Sequence, residues 1–171
     1  MAGGAQGRRW PRWAAIGVLA ALMTGHSAVA AWQRDHAFMV NTSESLPNWA
    51  FFVEKNAAPR RGQYVFFLPP HTPLLVRHFG ERHGSFGKQV LGLPGDIITH
   101  DGPAVLVNST TVAVMKPRTR TGEVLTPGPT GVVPQGCYYV GTGHKDGFDS
   151  RYAEIGFVCR RQILGTGTPI L

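Results

Sequence analysis

The apolar residues of this chain occur in short runs that glycine and proline interrupt, and this pattern restricts the possible folds more than any other feature. The runs are rich in β-branched and aromatic residues and have the length of strands: 51–53, 64–68, 89–91, 97–98, 105–107, 111–115, 137–140 and 156–158. Turn-forming residues bound them, and the chain contains 22 glycines and 13 prolines. Such segments are typical of strands joined by turns. No long helical period occurs after the N-terminal region, so we predict a mainly β domain of antiparallel, coiled sheets, with long loops at 69–87 and 117–134.

An apolar segment near the N-terminus predicts a membrane helix. Residues 14–23 are continuously apolar, and with 28–31 the stretch is just long enough for a bilayer core of about 30 Å. Arginines precede this stretch, which places the N-terminus in the cytoplasm and exports the C-terminal part of the chain. We predict a basic cytoplasmic N-terminus at 1–12, a membrane anchor at 13–32 and an exported domain at 33–171 that begins with a short spacer, 32–40. A cleaved signal peptide is the alternative, because 27–31 contains small residues in the pattern of a cleavage site.

Charge and length limit the classes of function. The formal net charge is +7 at pH 7, and the arginines before position 35 supply part of it. The rest of the chain is mildly basic, and its clustered basic run, 116–120, is better interpreted as a solvated loop than as a nucleic-acid site. A chain of 171 residues is long enough for one domain with an appendage. Because the basic residues form no clear binding surface, we predict no nucleic-acid partner.

The two cysteines, Cys137 and Cys159, are predicted to pair. An exported domain lies in a compartment where disulfides persist. Closing a loop of this size would stabilise the fold by about 3 kcal/mol in the chain-entropy treatment. The alternative is two buried thiols. No histidine or carboxylate lies at metal-ligand spacing near either cysteine, so we predict neither a metal nor a cofactor.

Three motifs carry the chemical signal. Ser45 lies in Asn-Thr-Ser-Glu-Ser-Leu-Pro-Asn at 41–48, Lys88 opens Lys-Gln-Val-Leu-Gly-Leu-Pro-Gly-Asp at 88–96, and Phe-Asp-Ser-Arg occupies 148–151. A serine hydroxyl is a weak nucleophile that needs a base, and a lysine becomes that base when burial disfavours its charged form. A Ser-Lys pair is a known variant of the serine-protease constellation. Each residue alone would be an ordinary turn serine or surface lysine.

The three motifs in this order resemble the membrane-bound signal peptidase I family over roughly residues 10–165. General leader peptidases place the nucleophile three residues before the proline, where this chain has Glu44. A serine two residues before Pro47 resembles instead the TraF-type conjugative-transfer peptidases, a plasmid-borne branch that processes pilin precursors. Some members of that branch also join the new ends into a ring, and no residue here decides whether this chain does.

The resemblance implies a single-pass protein of the bacterial inner membrane with its catalytic domain in the periplasm. It implies a serine endopeptidase that cleaves exported precursors after small residues, a pilin precursor above all. The implied partners are the precursor, the inner membrane and components of a conjugative type IV secretion system. Two alternatives are a housekeeping type I signal peptidase and a non-catalytic scaffold of a conjugation or secretion channel. A scaffold has no reason to keep a neutral lysine beside a serine.

The resemblance also assigns roles to residues. Ser45 is the predicted nucleophile and Lys88 the predicted base. The oxyanion hole is assigned to the Ser45 N–H and the Ser43 hydroxyl, because donors must point at the developing negative charge. Asp149 and Arg151 are predicted to support the strand that carries Lys88, and Asp149 also to orient the lysine.

Other positions have weaker or different assignments. Asn41 and Thr42 are weaker candidates for the oxyanion hole. Gln89 stands where the family often has arginine, so an ion pair from this position to the Asp149 carboxylate is missing. Trp49 is predicted to line the substrate cleft or to contact the membrane surface. The apolar walls around Lys88 are assigned to Val90, Leu91 and the phenylalanines at 66–67.

Overall fold

The computed structural model describes residues 12–170, so most of the predicted cytoplasmic segment, 1–12, lies outside the described residues. Helix α1 (Arg12–Asp35) has 24 residues. At 1.5 Å per residue it is about 36 Å long, which exceeds the hydrocarbon thickness of a bilayer. By length and composition it could cross a membrane. The helix continues to Asp35, and a strand begins at the next residue, where the sequence predicted a spacer.

The chain divides after His36 into two units, and the second is built from strands. In chain order these are β1 (His36–Val40), β2 (Ala50–Glu54), β3 (Tyr64–Phe67), β4 (Phe86–Gly92), β5 (Ile97–Asp101), β6 (Ala104–Val107), β7 (Thr110–Val114), β8 (Gly131–Val132), β9 (Cys137–Gly141), β10 (Val158–Cys159) and β11 (Ile163–Pro169). One sheet has seven strands in the order β1-β2-β11-β3-β4-β9-β10, and another has four in the order β7-β6-β5-β8. The strand pairs whose register is described are antiparallel. The mainly β, antiparallel prediction is confirmed.

Strand β11 lies between β2 and β3, although the sequence does not mark it as a strand. Its sequence is Ile-Leu-Gly-Thr-Gly-Thr-Pro. A Cβ at Gly165 would lie 2.6 Å from Val53 Cγ1, and one at Gly167 would lie 2.6 Å from Phe66 Cε2. Glycine is therefore required at both positions, because side chains of the neighbouring strands occupy the space that a Cβ would need. Since glycine has a low strand propensity, the sequence does not predict this strand.

A short helix, α2 (Pro73–Phe79), occupies part of the predicted loop 69–87. Thr72 caps it by accepting a hydrogen bond from the Leu75 N–H at 3.3 Å, and a proline stands at the start, where its missing N–H costs nothing. The helix ends at Gly80, whose φ of 83° lies in the region that favours glycine. Seven residues are too few to show a helical period in the sequence.

The turn after β4 is fixed by Asp96. Its carboxylate accepts hydrogen bonds from the Leu93 N–H at 2.5 Å, from Asn108 Nδ2 at 2.7 Å and from Arg61 Nη2 at 2.5 Å. These donors lower the pKa of Asp96 although its partial burial acts to raise it. Gly95 within the turn has a φ of 92°. The turn thus fixes the end of the strand that carries Lys88.

Candidate active site

A cleft of about 800 Å³ contains both predicted catalytic residues. Its lining includes Ser43, Ser45, Phe66, Phe79, Phe86, Lys88, Lys116, Arg120, His144, Asp146 and Tyr152. The two catalytic motifs also touch through their neighbours, because a Cβ at Gly87 would lie 2.9 Å from Leu46 Cδ1. The Leu46 side chain therefore packs against the backbone of β4 one residue before Lys88. This packing brings the serine loop and the lysine strand together.

The side chain of Asn41 organises the serine loop from within. Its Nδ2 donates to the carbonyl oxygens of Ser43 at 2.8 Å, Leu46 at 3.2 Å and Asn48 at 3.2 Å. Its Oδ1 accepts from the Ser43 N–H at 3.0 Å and from the Ser43 hydroxyl at 2.9 Å. Asn41 was predicted as a weaker oxyanion donor, but its amide donors are used inside the loop.

The hydroxyls of Ser43 and Ser45 lie 2.7 Å apart. The Asn41 Oδ1 oxygen can only accept, so the Ser43 hydroxyl donates its one hydrogen to it. The hydrogen between the two serines must then come from Ser45. In this state the Ser43 hydroxyl oxygen accepts a hydrogen bond from the Ser45 hydroxyl, and both hydroxyls have a defined orientation.

Lys88 is a buried amine with 5% of its surface exposed. It pairs in register with Val65 of β3, and its Nζ lies 5.9 Å from the centroid of the Phe86 ring. No hydrogen bond or ion pair to Nζ is found within the part of the chain that the structure describes. Burial lowers the pKa of Lys88 from 10.5; the field of Asp149 opposes this shift, and that of Arg151 adds to it.

The apolar walls around Lys88 differ in part from the prediction. Val90 faces the same side of β4, since alternate residues share a face, and it belongs to the same buried cluster as Val65. Leu91 faces the other side and packs in a separate cluster around Ile98. The assignment of Leu91 to the lysine pocket was therefore wrong, and Phe86 takes that place.

Asp149 and Arg151 form a buried ion pair behind the cleft. The two residues are 0% and 2% exposed, and two parallel hydrogen bonds of 2.8 Å join their side chains. The Asp149 carboxylate also accepts from the Thr142 N–H at 3.1 Å. Arg151 donates to the carbonyl of His144 at 3.2 Å. With its oxygens engaged in this way, Asp149 acts on Lys88 through its field rather than through a hydrogen bond.

The structure adds a hydrogen bond that the motifs did not indicate. The hydroxyl of Thr142, at the residue after β9, donates to the carbonyl oxygen of Ser45. Thr142 is 6% exposed and polar, and no sequence motif singled it out. Its position between a strand and the third motif could have been noticed, but its partner lies 97 residues away in the sequence.

A charged rim, which includes the ion pairs of Asp146 and Glu123, borders one side of the cleft. Asp146 accepts from both Lys116 and Arg120, and these hydrogen bonds lower its pKa. Glu123 accepts from threonines at 119 and 121 and from His78 of α2, and its pKa falls to about 2. The predicted solvated loop 116–120 is thus held by ion pairs to Asp146 and stays solvated, since the Arg120 side chain is 71% exposed.

Two other predicted positions lie away from the chemistry. Trp49 is exposed and is not among the residues that line the cleft. Gln89 donates from its side-chain amide to the carbonyl of Gly62 at 2.9 Å, so it supports the turn before β3.

Cys137 and Cys159 are register partners on β9 and β10, and a disulfide joins them.

The structure places a serine and a buried lysine in one cleft of an antiparallel β domain. The sequence motifs predicted this arrangement for a serine-type peptidase. The model of the family described as signal peptidase, peptidase S26, matches residues 8–171. The chain belongs to this family of serine-type peptidases, which process exported precursor proteins. A comparison with curated proteins found no match. Among solved structures, a signal peptidase I from Enterococcus faecalis V583 is similar, with a TM-score of 0.40 and 21% sequence identity over 66% of this chain and 98% of that chain.

Proposed function

We propose that this chain is a membrane-anchored endopeptidase of the TraF-type branch, with Ser45 as nucleophile and Lys88 as general base. In this proposal α1 anchors the protein in the bacterial inner membrane and the β domain lies in the periplasm. The substrate is an exported precursor, specifically a conjugative pilin precursor. The proposed partners are the membrane and the conjugative secretion machinery.

The state of Lys88 is the observation that carries the proposal. A lysine whose ammonium has no described hydrogen-bond or ion-pair partner is costly to bury in its charged form. Its pKa is lowered for this reason, and it lines the same cleft as Ser45. An inert domain gains nothing from such a residue, whereas a general base needs this environment.

In the proposed mechanism the reaction has two halves, formation of the acyl-enzyme and its breakdown, and Lys88 accepts and returns one proton in each half. The Ser45 oxygen attacks the scissile carbonyl carbon, and the Ser45 proton passes to neutral Lys88. The Ser45 N–H and the Ser43 hydroxyl, turned away from the Asn41 oxygen, donate to the oxyanion. Lys88 then gives its proton to the leaving amine as the C–N bond breaks. Water, or an amine if the product is a ring, attacks the acyl-enzyme, and Lys88 accepts and returns a proton again.

The spacing of Ser45 and Pro47 supports a pilin precursor over a general signal peptide. This argument concerns the choice of substrate and leaves the dyad chemistry unchanged.

Cleavage of a purified pilin precursor by the detergent-solubilised protein tests the proposal. Wild type should release the mature pilin, and Ser45→Ala should release none. Ser85→Ala is a matched control, since Ser85 is an exposed serine that lines the same cleft, and it should cleave normally. Equal cleavage by Ser45→Ala and wild type would overturn the dyad. Cleavage of a general signal-peptide precursor, with the pilin left intact, would favour the housekeeping alternative, and no cleavage of either would favour the scaffold.

A further inference from the structure

The hydroxyl of Thr142 joins the serine loop to the end of β9 by a hydrogen bond. It donates to the Ser45 carbonyl across a large separation in sequence. Thr142 is buried, so its hydroxyl has little access to water as a competing partner. Loss of the hydroxyl would leave the partly buried Ser45 carbonyl without this hydrogen bond, which costs free energy. The contact therefore restrains the backbone of the nucleophile.

Thr142 is itself fixed by groups that do not belong to the serine loop. Its N–H donates to Asp149 Oδ2 at 3.1 Å, and its hydroxyl oxygen accepts from the His144 N–H at 3.2 Å. Its carbonyl accepts from Arg151 at 3.4 Å. A Cβ placed on Gly147 would overlap the Thr142 methyl group, so this methyl group packs closely against Gly147. The residue is a fixed point set by the buried Asp149–Arg151 pair.

The other contacts of the serine loop within residues 12–170 are of a different kind. Asn41 ties the loop to itself, and the Leu46 side chain packs on β4 without directional bonds. These contacts hold the loop near the cleft, and none of them is made to the Ser45 carbonyl. A carbonyl held by a hydrogen bond defines that rotation, and with it the direction in which the Ser45 side chain leaves the backbone.

We propose that Thr142 is a positioning residue, which orients Ser45 toward the scissile carbonyl by fixing the Ser45 carbonyl oxygen. The inference rests on the proposed function, since it assumes that Ser45 is the nucleophile. Through Thr142 the buried Asp149–Arg151 pair would also help to position the serine, in addition to its electrostatic effect on the lysine. A misplacement of about 1 Å at a reacting group can cost about 100-fold in rate.

Steady-state cleavage of the precursor by Thr142→Val and Thr142→Ser tests the role. Thr142→Val keeps the shape and removes the hydroxyl, so kcat should fall by about 10- to 100-fold while KM changes little. Thr142→Ser keeps the hydroxyl and should retain most of the wild-type kcat. The pH profile of Thr142→Val should be lower but should keep its wild-type midpoint, because Lys88 is untouched. If Thr142→Val does not fold, Thr142→Ala replaces it with the same expected result.

Thr166→Val is the matched control. Thr166 is another buried threonine whose hydroxyl donates to a backbone carbonyl, that of Glu54, at 3.5 Å, and it does not line the cleft. This variant should leave kcat unchanged. A wild-type kcat for Thr142→Val, or an equal loss in Thr142→Ser, would overturn the positioning role. Ser45→Ala in the same assay separates the two claims: if it cleaves like wild type, the proposed function itself has failed.

Discussion

Burial of Lys88 makes the charged form of this residue costly to the stability of the fold. The side chain is nearly inaccessible and lies against an aromatic ring, and burial lowers its pKa. The unfolded chain keeps its lysine charged up to about pH 10.5, whereas the folded chain releases the proton earlier. Between the two pKa values the unfolded state binds more protons, so this residue makes stability rise with pH over that window.

Replacing this lysine should therefore stabilise the protein while destroying its activity. Lys88→Met fills the same space without an amine, and we expect it to raise the free energy of unfolding by about 1 kcal/mol at pH 7. The gain should be greatest below the folded pKa and should disappear as the pH approaches 10.5. Thermal unfolding across this pH range measures it. Lys145→Met, at an exposed lysine, is the control and should change neither stability nor cleavage. A destabilised Lys88→Met would show that the amine has a stabilising partner.

Ser43 is expected to contribute to rate and not to binding. Ser43→Ala should lower kcat by about 100- to 1,000-fold with KM nearly unchanged, because an oxyanion donor acts on the transition state. The Asn41 side chain would keep its bonds to the carbonyls of Leu46 and Asn48, so the loop should stay folded. Steady-state kinetics with the precursor provides both constants. An unchanged kcat would leave the Ser45 N–H as the donor that matters.

At the scale of elements, the disulfide joins β9 and β10 at both ends of the segment that contains Thr142, Asp149 and Arg151. The cysteines are 22 residues apart, which corresponds to about 3 kcal/mol of stabilisation. The double variant Cys137→Ser, Cys159→Ser should unfold about 10 °C lower than wild type in a thermal scan. A melting temperature within about 2 °C of wild type would mean that the sheet alone holds this segment in place.

Most strands could be predicted from the sequence because they are short runs of β-branched and aromatic residues bounded by turn residues. β11 could not, because the close approach of Val53 and Phe66 selects glycines that weaken strand propensity. β1 was not predicted because it directly follows the long apolar helix, in a segment that we expected to be a spacer. In the site, Ser45 and Lys88 lie in motifs with a chemical rationale.

The contacts of Asn41 and Thr142 could not be found in the same way. The Asn41 side chain acts on its own loop, and a turn asparagine has many possible partners. The Thr142 hydroxyl meets a carbonyl that is distant in sequence. The two regions come together because Leu46 packs on β4 and β4 pairs with β9, which ends just before Thr142. Motifs therefore indicated the reacting groups, and the tertiary fold determined what orients them.

At the scale of the whole molecule, the proposed location of the protein depends on whether α1 is a membrane anchor. Its apolar side chains, among them Ile16, Leu19 and Leu22, are exposed. If the helix is a retained anchor, the intact mass of the protein from the membrane fraction should include the segment before residue 32, and an alkaline carbonate wash should not release it. A soluble protein whose mass begins near residue 31 or 32 would establish the cleaved signal peptide instead.

The pH dependence of kcat/KM for precursor cleavage tests the Ser45/Lys88 mechanism most directly. The base must be neutral to accept the Ser45 proton, so kcat/KM should rise with pH along a single limb whose midpoint lies below 10.5, the ordinary pKa of lysine. Single replacement of each of the 7 histidines should leave that midpoint unchanged, and Lys88→Ala should abolish cleavage at every pH. A Lys88→Ala protein that still cleaves along the wild-type limb, or a limb that disappears when His144 is replaced in a folded protein, would contradict the account.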